Sequence, residues 1–171
     1  MWLVIADTSP INYLILIRHI DLLPRLFERV ALPSAVQAEL MDIDAPPEVQ
    51  RWIAEPPEWL EIHETTGLAQ ESGLDEGETA AIALAESLHA DMLLIDEREA
   101  FRVAQRKGLR VTGTLGLLDL AAGRGFIDFA EAIRSLEQTS FRRPEALLDA
   151  LLAKHKDPKT RGDDGAIRKG H

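Results

Sequence analysis

The chain has no cysteine among its 171 residues, and only 5% of its residues are aromatic. The absence of thiols excludes disulfide bonds and thiolate metal sites, and it fits a reducing compartment. No apolar run approaches the roughly 20 residues needed to span a bilayer. The N-terminus carries no basic segment before its apolar stretch, so we expect neither an anchor nor a signal peptide and predict a cytoplasmic protein.

Several catalytic motifs are also missing. The five histidines show no i, i+4 pairing, which disfavours a histidine-based zinc site. The sequence contains no Gly-x-Ser-x-Gly elbow, Walker lysine loop or dinucleotide glycine fingerprint. A phosphate-accepting receiver domain would need a lysine after a late strand, and no convincing one is found. The chemistry must therefore be sought among the acidic residues.

Acidic residues dominate the charge: 29 Asp and Glu against 19 Lys and Arg give a net charge of −10. This balance argues against a broad basic surface that binds nucleic acid, but it does not exclude a local one. Acids that converge on a metal site would have part of their charge neutralised by bound cations. The alternative is an acidic surface that keeps the protein soluble.

The length and the 46% hydrophobic content predict one globular domain over 1–156, with C-terminal helices within 128–156 and a disordered tail at 157–171. Short apolar runs that alternate with helical patterns indicate an α/β fold with a mainly parallel sheet. The predicted strands are Leu3–Ala6, Val30–Leu32, Trp59–His63, Met92–Ile95 and Arg110–Thr112.

The first of these strands ends in Asp7. Ser9 is predicted to be the N-cap of the next helix, with Pro10 at the first helical position, so Asp7 has no capping duty. It is left at the carboxyl end of a strand, where open α/β sheets bind ligands.

Three further acids occupy comparable positions. Glu39 borders the buried stripe of a helix that Ser34 and Gln37 are predicted to cap, a stripe formed by Val36, Leu40 and Ile43. Glu78 shares a helix face with Ile82 and Ala85, and Asp96 follows the strand Met92–Ile95. Carboxylate oxygens are the usual ligands of magnesium and manganese, so these acids fit a shared cation site.

Helix capping offers a structural alternative at two of these positions. Asp75 and Glu78 have N-cap and N3 spacing, and so do Asp96 and Glu99. Capping could therefore explain Asp75, Asp96 and part of Glu78. Thr114 is likewise either a plain N-cap or, within the Gly113–Gly116 turn, a phosphate-binding hydroxyl.

In series, five segments of the chain resemble a prokaryotic branch of PIN-domain proteins related to VapC toxins. The resemblance covers about residues 3–125, and it rests on Asp7-Thr8-Ser9-Pro10, Ala35-Val36-Gln37-Ala38-Glu39-Leu40, Leu74-Asp75-Glu76-Gly77-Glu78 with Ala81–Ala85, Leu94-Ile95-Asp96-Glu97-Arg98 and Val111-Thr112-Gly113-Thr114-Leu115-Gly116.

The resemblance implies a Rossmann-like, three-layer PIN domain and a Mg²⁺- or Mn²⁺-dependent endoribonuclease. Such a protein is commonly the toxin of a toxin–antitoxin pair, with RNA as substrate, an antitoxin as partner and a tendency to form homodimers. Asp7, Glu39 and Asp96 fall on three of the family's four acidic positions. We assign the fourth to Glu78, with Asp75 in reserve, because Thr79 stands where many relatives have Asp.

The accessory positions are Thr8, Ser9, Asp75, Glu97 and Thr114. Glu97 departs from the second Asp that is frequent in this branch. That departure and the charge of −10 favour an alternative function, a catalytically silent module that binds nucleic acid or protein.

Overall fold

The computed structural model describes residues 2–65, 73–142 and 144–156. The chain divides into two compact units, Met1–Thr114 and Leu115–His171. The predicted tail at 157–171 lies outside the described residues. The single domain predicted over 1–156 stays a prediction.

The first unit is built on a five-stranded sheet whose strands all run parallel, in the order β3-β2-β1-β4-β5. Its strands are β1 Leu3–Ala6, β2 Arg29–Pro33, β3 Leu60–His63, β4 Met92–Leu94 and β5 Val111–Thr112. All five predicted strands are confirmed, and so is the α/β, Rossmann-like class. The sheet grows from β1 first to one side and then to the other, which places the topological switch point between β1 and β4.

In the described part of this unit, six helices flank the sheet: α1 Thr8–Leu16, α2 Leu22–Leu26, α3 Ser34–Leu40, α4 Pro47–Ala54, α5 Glu76–Ser87 and α6 Arg98–Arg106. Side chains of α5 and α6 form one hydrophobic cluster with Leu3 and Ile5 of β1. Val4 and Ala6 alternate with them, point to the opposite face and are also fully buried. The central strand is therefore covered on both faces, as its continuous apolar sequence predicts.

The second unit is helical over its described residues. It contains most of α7 Thr114–Gly123, together with α8 Phe129–Glu137 and α9 Glu145–Lys156. The ring of Phe129 stacks on His155 with centroids 4.6 Å apart. Asp119 Oδ1 lies 2.8 Å from His155 Nε2 and accepts a hydrogen bond of 2.9 Å from Lys154 Nζ, so α9 is tied to α7 by charge. Within the described ranges, every helix is too short or too polar to cross a bilayer.

The structure corrects two predicted helix starts. Helix α1 begins at Thr8 with Asp7 in the N-cap position, so Ser9 and Pro10 lie inside the first turn. Proline is tolerated there because the first-turn amides have no helical acceptor. Helix α3 starts at Ser34 with Pro33 as N-cap, and the Ser34 hydroxyl donates to Glu64 instead of forming the predicted capping box with Gln37.

The predicted stripe on α3 is also too long. The helix ends at Leu40, and Ile43 is 89% exposed and not part of the buried face. The Asp42 carboxylate accepts the backbone N–H of Asp44 at 2.8 Å, a local turn that competes with further helix.

Candidate active site

The four predicted acids come from two strand ends and two helices. Asp7 follows β1, and Asp96 lies two residues beyond β4. The register pairs Ala6 with Leu94, and the Asp7 amide donates to the Leu94 carbonyl at 2.9 Å, so the two strand ends adjoin at the switch point. Glu39 lies near the end of α3 and Glu78 in the first turn of α5, two helices that pack against each other.

Asp7 is the most deeply buried of the four, with 5% of its surface exposed. Its Oδ1 is buried without a hydrogen-bond partner among the described residues. Asp7 stands in the N-cap position of α1, but its side chain forms no capping bond. The prediction that Asp7 does not cap the helix is therefore confirmed, although Ser9 is not the N-cap on which that prediction rested. Burial raises the pKa of Asp7 to about 8, the Thr8 amide opposes the shift, and the charges of Glu39, Asp75 and Glu78 add to it.

Glu39 is half-buried and accepts a hydrogen bond from the Thr8 hydroxyl. Burial raises its pKa, whereas the Thr8 hydroxyl and the backbone amide of Gly77 lower it. A Cβ atom on Gly77 would lie 2.2 Å from Glu39 Oε1, so glycine is what admits this carboxylate to the start of α5. The N-terminus of a helix is also a favourable place for a negative charge.

Glu78 forms a reciprocal capping box with Asp75. The Glu78 amide donates to Asp75 Oδ1 at 2.8 Å, and the Asp75 amide donates to Glu78 Oε2 at 3.1 Å. The capping alternative is thereby confirmed for Asp75 and for one oxygen of Glu78. Burial raises the pKa of Glu78 to about 7; the Asp75 amide opposes this shift, and the charges of Asp75 and Glu97 add to it.

Asp96 does not cap α6, contrary to the alternative raised by its spacing. Glu97 is the N-cap and accepts the Ala100 amide at 2.9 Å. Asp96 instead accepts the amide of Thr114 at 2.7 Å on Oδ1 and its hydroxyl at 2.6 Å on Oδ2. Thr114, fully buried, therefore holds a carboxylate and not the phosphate that the turn sequence allowed.

The pKa of Asp96 is raised by burial and lowered by both hydrogen bonds from Thr114. No carboxylate is among the causes of that shift, whereas Asp7, Glu39 and Glu78 each respond to other acids. The negative charge of Asp75 raises the pKa of all three of these acids, Asp7, Glu39 and Glu78. The structure places Asp96 beside this group at the neighbouring strand end.

Two glycines leave room for carboxylates of the candidate site, a role that the sequence analysis did not predict for them. Gly77 lies against Glu39, and a Cβ atom on Gly113 would lie 2.8 Å from Asp96 Oδ1. Each glycine directly precedes a site residue, Glu78 or Thr114. The sequence signal for such a role is the position of Gly77 in the first turn of α5, because a glycine there weakens the helix and so needs another reason.

The comparisons with known proteins identify the family. The family model described as "DUF3368: PIN domain" matches residues 3–157. The chain belongs to the PIN-domain family. The PIN domain is a nuclease-type fold; its nucleases bind nucleic acid and typically use divalent metal ions.

Among solved structures, this PIN domain is similar to a PilT N-terminus domain protein, SSO1118, from the hyperthermophilic archaeon Sulfolobus solfataricus P2. The two chains are 12% identical with a TM-score of 0.47, and the match covers 84% of this chain and 100% of that one. No curated protein matches the chain.

The acids of this PIN domain suit a divalent cation by their chemistry, because all four are hard oxygen donors. In the conformation described, however, no three acidic or histidine side chains of residues 2–65, 73–142 and 144–156 converge enough to hold one ion. Glu39, Glu78 and Asp96 already accept hydrogen bonds from the protein, and the orphaned Oδ1 belongs to Asp7. For these acids to hold one cation, their side chains would have to lie closer together than they do here.

The raised pKa values predict that the metal-free PIN domain loses stability as pH rises. Asp7 has a pKa of about 8 in the folded state against its usual 3.8, so the folded chain binds more protons than the unfolded chain between these values. The free energy of unfolding should fall by a few kcal/mol from about pH 5 to about pH 8. The pKa values of Glu61 and Asp119 are lowered, so these groups titrate below that window.

Urea unfolding in chelator at several pH values measures this slope, and a constant m-value checks that unfolding stays two-state. Stability that is flat or rises between pH 5 and pH 8 would contradict the burial of an ionisable Asp7.

Proposed function

We propose that the chain is a Mg²⁺- or Mn²⁺-dependent endoribonuclease whose site is formed by Asp7, Glu39, Glu78 and Asp96. The observation that carries the proposal is the buried Asp7 Oδ1, which has no hydrogen-bond partner among the described residues. Leaving such a group unsatisfied costs stability, about 1–3 kcal/mol or more for a charged group. A cation that binds in the functional state would supply the missing partner.

The arrangement of this chain's own groups suits phosphodiester hydrolysis. A divalent cation held here supplies positive charge that activates water and stabilises the leaving oxygen. With a cation bound, the Asp7 carboxylate would be ionised and would supply a buried negative charge at the switch point of the sheet, away from competing water. Thr8 and Thr114 orient Glu39 and Asp96 before any ligand arrives, as supporting hydrogen bonds do around metal ligands.

Cleavage of labelled single-stranded RNA and of DNA of the same sequence tests this proposal. We expect internal cuts in RNA with Mg²⁺ or Mn²⁺, none in the presence of chelator, and recovery when metal is restored. Cleavage that persists in chelator would contradict the metal-dependent mechanism. Equal cleavage of DNA would contradict the assignment to RNA.

The biological role proposed with this activity is that of a cytoplasmic toxin, paired with an antitoxin and acting as a homodimer. Its support is the resemblance of the five motif segments to the VapC-related branch. A small adjacent gene that encodes a DNA-binding fold, or a basic disordered segment able to cover the acidic site, would support this role. The absence of any such gene would count against it.

A catalytically silent binding module is the second candidate. It is favoured by the finding that no three acidic or histidine side chains of the described residues lie close enough to hold one ion, and by the capping role of Glu97. Calorimetry with Mn²⁺ separates the two functions: the nuclease should bind metal, whereas RNA binding without metal binding at millimolar concentration would favour the silent module.

A further inference from the structure

Helix α6 carries a row of exposed arginines that starts at the candidate site. Arg98, Arg102 and Arg106, which we call the arginine row, are spaced four residues apart and lie opposite the buried Ala100, Val103 and Ala104. At about 100° per residue, the row occupies roughly 80° of the helix surface. Successive members lie about 6 Å apart along the axis. The first, Arg98, is only two residues from Asp96.

The row is the centre of a basic patch on an acidic protein. Residues 98–110 contain the basic side chains Arg98, Arg102, Arg106, Lys107 and Arg110 and the single acid Glu99, whereas the whole chain carries a net charge of −10. A phosphate backbone is repelled by most of such a surface and attracted to this part of it. The patch is thus a candidate for the local nucleic-acid-binding surface that the net charge does not exclude.

Helix stability does not account for the first two arginines. Arg98 is the first residue of α6, where the helix dipole disfavours a positive charge. Neither Arg98 nor Arg102 forms an ion pair with any residue that the structure describes.

The other basic residues of the patch have structural partners. Arg106 approaches Glu99 at 3.7 Å, and Lys107 approaches Glu86 at 3.7 Å. Arg110 lies over the ring of Trp2 at 5.3 Å. Two guanidinium groups, those of Arg98 and Arg102, are therefore left for a ligand.

We infer that Arg98 and Arg102 bind neighbouring phosphates of the RNA strand where it leaves the cleavage site, an inference that rests on the proposed function. A guanidinium group binds phosphate through two parallel hydrogen bonds, which fixes the position of the strand. Contacts with the backbone carry no sequence information, so the row would set the path of the strand and not the cleavage sequence.

Fluorescence anisotropy with a labelled single-stranded RNA, recorded in chelator so that nothing is cleaved, tests this inference. The Arg98→Gln/Arg102→Gln variant should bind about tenfold more weakly at low salt, with the slope of log K against log salt smaller by about 1.4, since each phosphate contact in a single strand contributes about 0.7. Glutamine keeps the helix propensity, so the thermal midpoint should not fall. The Arg98→Lys/Arg102→Lys variant should keep the wild-type slope.

The matched control is Arg51→Gln/Arg134→Gln, which removes two exposed arginines from α4 and α8 and gives the same net charge. It should keep the wild-type affinity. An equal loss in the control, or an unchanged slope in the α6 variant, would overturn the inference.

Failure of this inference is distinguishable from failure of the proposed function. Wild-type protein that binds RNA through the arginine row but never cleaves it would contradict the proposed nuclease activity. It would not contradict RNA binding by the arginine row. If the wild-type protein cleaves RNA and the α6 variant is unchanged in RNA binding and in KM, RNA binding by the arginine row is contradicted. The proposed nuclease activity is not.

Discussion

The Asp7→Asn variant is expected to lose RNA cleavage by about 1,000-fold while its metal-free form gains stability at pH 8. Asparagine keeps the shape of the side chain but cannot carry the charge that would hold a cation at this strand end. The carboxylate it replaces is 5% exposed, and its Oδ1 has no hydrogen-bond partner among the described residues. Removing the charge should therefore impair the metal-bound site without destabilising the metal-free protein.

The sign of the stability change follows from the pKa. Burial raises the pKa of Asp7 to about 8, so the folded protein resists ionisation of a group that ionises freely when unfolded. Near pH 8 this unfavourable ionisation of Asp7 lowers the free energy of unfolding. Asparagine removes the effect because it cannot ionise. We expect a gain of about 1–3 kcal/mol at pH 8 that shrinks towards pH 4.

The control for this variant is Asp44→Asn, the same chemical change at an exposed acid after α3. It should alter neither cleavage nor stability. Unchanged cleavage by Asp7→Asn would refute the site. Loss of cleavage together with loss of stability would point to a structural role for Asp7, because opposite changes in activity and stability are what a strained functional group produces.

The strands and the class of fold could be predicted because they depend on local pattern. Leu3–Ala6 and Met92–Ile95 are short runs that are apolar at every position, which is typical of a parallel strand covered on both faces. The helix starts were less predictable, because several polar residues compete at each. Ser9 has the right chemistry for a cap, but the chain is already helical at Thr8 once Asp7 adopts its extended conformation after β1.

The acids of the candidate site could be named from the sequence, and so could the Asp75–Glu78 pair, but the partners of Glu39 and Asp96 could not. Thr8 and Glu39 are 31 residues apart, and Thr114 and Asp96 are 18 apart, so no spacing rule connects them. At α6 the spacing of Asp96 and Glu99 indicated a cap at Asp96, and no signal in the sequence indicated Glu97 as the N-cap. Thr114, brought in by β5, engages Asp96 and leaves Glu97 to cap the helix.

The arginine row illustrates a different limit. Its four-residue spacing is visible in the sequence, yet the total charge of −10 concealed it because that number averages over the whole chain. Which face of α6 is buried had to be known before the three arginines could be placed on one exposed surface.

The Gly77→Ala variant is expected to reduce cleavage by 10- to 100-fold and to weaken Mn²⁺ binding by a similar factor, the effect typical of disturbing a group that orients a metal ligand. The added Cβ atom would lie 2.2 Å from Glu39 Oε1 and 2.8 Å from its Cδ. The Glu39 side chain is flexible and the backbone of α5 is not, so the carboxylate should move and leave the Thr8 hydroxyl. Alanine also suits a helix better than glycine by about 1 kcal/mol, so the thermal midpoint should hold or rise.

Gly123→Ala provides the matched control, since a Cβ atom there would meet no heavy atom of the described residues within 4 Å. The decisive comparison adds Glu39→Gln to Gly77→Ala. If Gly77 acts only by positioning Glu39, the double variant should cleave RNA and bind Mn²⁺ no worse than the poorer single variant, because both changes disable the same group. Losses that simply add, or a fall in thermal midpoint with Gly77→Ala alone, would instead show that Gly77 supports the start of α5 independently of the acid it contacts.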